Sequence, residues 1–236
     1  MSQVSSEGNA SKSTRMISKV LTKALKLWLR SQTTKIGHLD LKIEASDRQL
    51  LSGSIPQVSI FAQNAVYQGL HLTEANLIAE NIRINIGSVL KGQPLKLLEA
   101  IPVFGNVVLT EEDLNASLAS TLLSNALNDA LIKLIPDYSA KSKKIVWQKI
   151  ILANNYLLLF PADDFQSSYL SEIMLELELL NGHELKIKAK TIAAYANAET
   201  DTKYEEYLDL GTDVDIQELN LNPGKLTCQG KININP

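Results

Sequence analysis

From Leu114 to Asn128 the chain carries no charged residue, although leucine recurs there at helical spacing. No other stretch limits the possible folds as much. The helix that contains it reads from Thr110 to Pro136. Thr110 is a good N-cap, Glu111, Glu112 and Asp113 put negative charge on the first turn, where the macrodipole favours it, and Pro136 closes the run. Leu114, Leu118, Leu122, Ala126, Ala130 and Leu134 form one stripe, which Leu123, Leu127 and Leu131 widen. A surface helix normally carries charge on its outward side, so this one is expected to be covered on most sides by neighbouring strands. It fits an ordinary core helix or a helix lining a long apolar cavity, and pattern alone does not separate the two.

The flanking sequence has a period of two. Leu39, Leu41, Ile43 and Ala45 alternate with polar residues, SDRQLLSG turns the chain, and a second strand follows around Ser54 to Gln63. AVYQGLHL reads as a third strand and ANLIAENIRINIG as a fourth, with a slip near Glu80 and Asn81 that suggests a bulge. Residues 91–106 are too apolar for a solvated loop; a strand from Ile101 to Leu109 explains them better than a membrane-inserting loop. Beyond the helix, hairpins are expected about residues 153–155, Asn181-Gly182 and Asn222-Pro223-Gly224. Short links between strands predict an α+β fold with an antiparallel meander. With 45% hydrophobic residues in 236, a sizeable core is available, and the organisation reads as a disordered tail over 1–13 followed by one domain over 14–236.

The basic end of the chain is N-terminal. Residues 1–100 hold 12 Lys+Arg against 7 Asp+Glu (+5), and residues 101–236 hold 11 against 19 (−8). Thr14 to Gln32 reads as an amphipathic helix with Ile17, Val20, Leu21, Ala24, Leu25 and Trp28 on one face and Arg15, Lys19, Lys23, Lys26 and Arg30 on the other. An acid-free polar face with a Trp near its end suits an anionic membrane surface, with Arg15, Lys19, Lys23, Lys26, Trp28 and Arg30 as contacts; a core-packed helix with a solvated lysine face is the other reading. Overall acidity argues against a nucleic-acid partner.

Marks of catalysis are missing. Nucleotide-loop, nucleophile-elbow and zinc-protease motifs are absent, and His38, His71 and His183 lie far apart on strand-like segments. Asp213 with Asp215, and Asp163 with Asp164, lack the further ligands that a calcium site needs. The eight acids between Glu199 and Glu218 read as a solvated strand pair. The single Cys228 excludes an intramolecular disulfide and a cysteine-based zinc site. No enzyme activity, metal or cofactor is expected. No apolar run reaches membrane-spanning length, and lysines interrupt what would be a signal-peptide core, so a cytoplasmic protein peripheral on a membrane is expected.

Three stretches, ENIRINIGSVLKGQPLKLLEAIPV, LTEEDLNASLASTLLSNAL and DLGTDVDIQELNLNPGKLTCQGKININP, resemble the LmeA-like family of bacterial proteins. The resemblance runs from about Thr14 to Pro236. It rests on Leu-Thr-x-x-Asp-Leu-Asn at 109–115, Leu-Gly-x-Asp-Val at 210–214 and the terminal Gly-Lys-Ile-x-x-x-Pro at 230–236. It implies a phospholipid or other acyl-chain lipid as partner, and a strongly curved antiparallel sheet wrapped around the long helix, similar to tubular lipid-binding proteins. On that reading Leu114, Leu118, Leu122, Leu127 and Leu131 line the lipid cavity. A structural or partner-binding protein with a solid core is the alternative.

Overall fold

The computed structural model describes residues 7–134, 145–162, 172–192 and 203–236. Chain order is α1 (Glu7–Gln32), β1 (Lys35–Glu44), α2 (Asp47–Leu51), β2 (Ser54–Tyr67), β3 (Leu70–Arg83), α3 (Ile86–Val89), β4 (Ile101–Thr110), α4 (Glu111–Ala116) and α5 (Thr121–Leu134). Then follow β5 (Trp147–Leu152), β6 (Tyr156–Pro161), β7 (Glu172–Asn181), β8 (Glu184–Ile192), β9 (Lys203–Asp209), β10 (Val214–Asn222) and β11 (Lys225–Ile234). The fold is α+β and mostly antiparallel sheet, but its strands form two open sheets rather than one meander. One has six strands in the order β1-β2-β3-β4-β11-β10, and the other has five in the order β5-β6-β7-β8-β9.

Several local expectations need correction. AVYQGLHL is a hairpin: Gln68 and Gly69 both adopt positive φ, the geometry of a two-residue turn that matches strand twist, so β2 and β3 are long and continuous. At Asn81 the alternation slips through a left-handed residue, but the β2–β3 register continues unbroken, so the expected bulge is absent there. The acid-rich strands β9 and β10 are not a pair; they belong to different sheets. Helix α1 begins at Glu7, inside the stretch read as a tail.

The central helix is two helices, and serines divide it. Ser117 Oγ donates to the Asp113 carbonyl at 2.6 Å and accepts the His71 N–H at 2.8 Å, so its side chain ties the last turn of α4 to β3. Ser120 then opens α5, its Oγ accepting the Leu123 N–H at 3.2 Å. Gly69 abuts the break, where an added Cβ would lie 2.8 Å from that of Ser120. Pro136, expected to close the helix, lies outside the described residues.

The six-stranded sheet carries two cores on one face. Leu21 of α1 packs with Ile55, Val58, Ala79, Ile82 and Val103, joined by Leu95 from the apolar loop after α3. The other core lies between α4, α5, the inner face of the five-stranded sheet and the β4–β11–β10 end of the larger sheet, with Leu114, Leu131, Leu159, Ile173, Leu109 and Leu221 buried in it. Between them a cross-strand row runs Leu41, Ile60, Leu77, Gly105, Gly230. A Cβ on Gly105 would sit 2.7 Å from Leu77 Cδ2, and one on Gly230 only 2.5 Å from the Asp215 carbonyl oxygen. The second contact reflects a register shift in β10 between Ile216 and Glu218.

Candidate functional site

Helix α1 docks through Leu21, Ala24, Leu25 and Trp28. Trp28 thus belongs to the docked side, away from the expected membrane contacts. The docking leaves Lys19, Lys23 and Arg30 exposed and Lys26 half-exposed on the opposite side, interleaved with Val20 at 43% and Leu27 at 58% exposure. Ser18, Thr22, Leu27 and these four cations border a shallow groove of about 380 Å³. No acidic residue occurs between Gly8 and Leu39, so the stripe has no acidic neighbour on its own helix within three turns of Lys19, Glu7 lying at the far end. Arg15 lies on α1, but its side chain is outside the described ones.

The five expected lipid-lining leucines have unequal environments. Leu114 and Leu131 are core residues, Leu131 with no exposed surface, whereas Leu118 and Leu127 pack against that core from its rim. Leu122 is 45% exposed. Covering on most sides was expected because charge is absent; among the described residues the strands cover one side of α5, and Leu122 and Ile132 are exposed. The indole N–H of Trp147, buried in the same core, has no hydrogen-bond acceptor among the described residues.

Sequence reasoning missed a trough on the open face of the larger sheet. Directly paired residues of antiparallel strands share a face, and the face opposite α1 shows Asp40, Phe61, Asn76, Asn106 and Gln229 in one row and Lys42, Ser59, Ile78 and Phe104 in the next. These rows border a trough of about 690 Å³ with Phe104 and Ile78 exposed in it. The available signal was Ile78, an apolar residue at the polar parity of β3. None of the five leucines borders either groove.

The Leu-Thr-x-x-Asp-Leu-Asn stretch at 109–115 has structural work for Thr110, Glu111, Asp113 and Asn115. Thr110 and Asp113 form a reciprocal capping box, and Asp113 also accepts from Thr73. Glu111 Oε2 accepts the Leu152 N–H at 2.8 Å. Asn115 accepts the Ile150 N–H and donates to the Ile150 carbonyl, both at 2.8 Å, serving the free edge of β5 as another strand would.

No group of three or more His, Cys, Asp or Glu that could hold a metal occurs among the described residues, and no described helix is long and apolar enough to cross a membrane. Asp163 and Asp164 lie outside those residues. Burial pushes the Cys228 thiol above its ordinary range. A family profile described as LmeA-like phospholipid-binding matches residues 13–231. No curated protein and no solved structure matches the chain.

Proposed function

The chain belongs to the LmeA-like phospholipid-binding family, and from that premise we propose that it binds phospholipid without chemistry at an anionic membrane surface. The observation that carries the surface role is the outward stripe of α1, where Lys19, Lys23, Lys26 and Arg30 surround exposed Val20 and Leu27. Cations meet headgroups and the two apolar side chains enter the acyl boundary, while the opposite side of the helix stays docked. An acyl chain is taken up between α5 and the five-stranded sheet, entering past Leu122 and lying against Leu118 and Leu127, with the core leucines Leu114 and Leu131 as floor. Trp147 supplies a buried donor suited to an ester carbonyl. Each sheltered methylene contributes about 0.8 kcal/mol, so roughly ten offset the extraction of a lipid from its bilayer.

Close packing of Leu114 and Leu131 favours a second reading, a partner-binding protein with a filled interior. Mass spectrometry of organic extracts from the purified protein separates them: stoichiometric lipid supports uptake, and lipid-free protein that still floats with vesicles leaves only surface binding. For the surface role, wild type and the Lys19→Gln, Lys23→Gln, Lys26→Gln triple variant are compared by flotation with and without anionic lipid. Near-surface cations contribute about 1 kcal/mol each, so the variant should float far less and added salt should weaken the wild type. Equal flotation of the two removes α1 from the mechanism.

A further inference from the structure

We propose that two copies of this chain associate through β1, edge to edge and antiparallel, about a two-fold axis through Leu41. β1 is the end strand of the six-stranded sheet, ten residues long, and nothing pairs with its outer side among the described residues. An edge of that length is a ready template for another strand. Its charges suggest which strand.

On the trough face β1 shows, in order, His38, Asp40, Lys42 and Glu44, where His38 Nε2 lies 2.8 Å from Asp40 Oδ2 and Lys42 Nζ 2.5 Å from Glu44 Oε1. In an antiparallel pair of identical strands centred on Leu41, Asp40 of each copy faces Lys42 of the other and His38 faces Glu44. On the α1 face, Leu39 then meets Ile43 and Leu41 meets its own counterpart. Facing must be preserved, so the neighbouring registers differ by one residue at the centre. One sets Asp40 against Asp40 and the other Lys42 against Lys42. Opposite charges directly across a strand pair stabilise it and like charges destabilise it, so among these three adjacent registers the pattern selects the one centred on Leu41. The partner is therefore a second copy rather than an arbitrary peptide. Because the axis is perpendicular to the sheet, both α1 helices end on one side of a continuous twelve-stranded sheet, counted as twice the six strands of one copy.

Sedimentation of the full chain over rising concentration, without lipid, should show a reversible monomer–dimer equilibrium. Asp40→Lys and Lys42→Asp each turn two attractive contacts repulsive and should raise the dissociation constant roughly tenfold, while the double exchange should restore it to near wild type. The adjoining β2 residues are Phe61 and Ser59, so the exchange meets no new charge there. Register is read separately on a Cys228→Ser background. Leu41→Cys should form a disulfide dimer under mild oxidation, since directly opposite Cα atoms lie within bridging range, whereas Ile43→Cys, displaced along the strand from its counterpart, should not. A monomer at every concentration, a double exchange no tighter than the single variants, or equal cross-linking of the two cysteine variants would overturn the proposal. Each readout is independent of lipid, so its failure leaves the proposed function standing.

Discussion

Asn115 shows how a motif can be visible in sequence while its purpose is not. Its side chain bonds Glu111, and both polar groups of Ile150, a residue far along the chain whose position no local pattern predicts. Asn115→Ala strips two partly buried backbone groups of their partners, and an unmade bond costs more than a made one contributes. We expect a loss of about 1–3 kcal/mol, read as a lower urea midpoint at unchanged slope. Cys228, by contrast, sits half-buried in β11, directly across from Leu219 on one side and Val107 on the other. With its thiol pKa raised by burial, native protein should alkylate more slowly at mildly alkaline pH than unfolded protein does. The fold also favours the neutral thiol, so that contribution is complete below the ordinary thiol pKa and is lost as pH rises through the raised one. An alkylation time course with and without urea checks the first point.

Among the elements, α4 and α5 test the interior. The capped start of the helical stretch at Thr110 and its apolar stripe were legible, because caps and period are local. The break was not, since serine is tolerated within a helix and becomes a divider only when it finds partners such as His71. The consequence is that leucines at equivalent positions on a single ideal helix experience different surroundings. Leu131→Ala should cost about 2–5 kcal/mol, but Leu122→Trp should leave the melting temperature of delipidated protein nearly unchanged. Leu118→Trp decides between uptake and a filled interior. In a close-packed site it costs about 1–3 kcal/mol, whereas in a lipid path it displaces bound lipid while the delipidated protein melts as before. Calorimetry and lipid extraction on the same samples distinguish these outcomes.

For the whole molecule, strand content and the α+β class follow from alternation, because parity states which residues share a face. Parity does not state which strand is the neighbour. That is why the division into two sheets, two cores on one face and the open trough were not legible, although the residues responsible, from Leu21 to Leu221, all were. Charge segregation was legible in outline, and its three-dimensional form is the exposed stripe on α1. The position of β11 has a further consequence, for kinetics. It lies between β4 and β10, so β4 gains its second neighbour only after the entire stretch from Glu111 to Gly224 has been looped out. Closing so long a loop precedes any reward from pairing, which places this topology among the slow folders and leaves one edge of β4 bare while it waits. Nascent chains that stop short of β11 would then expose Val103 and Val107 along an unfinished edge, giving quality-control machinery a surface that the completed sheet conceals.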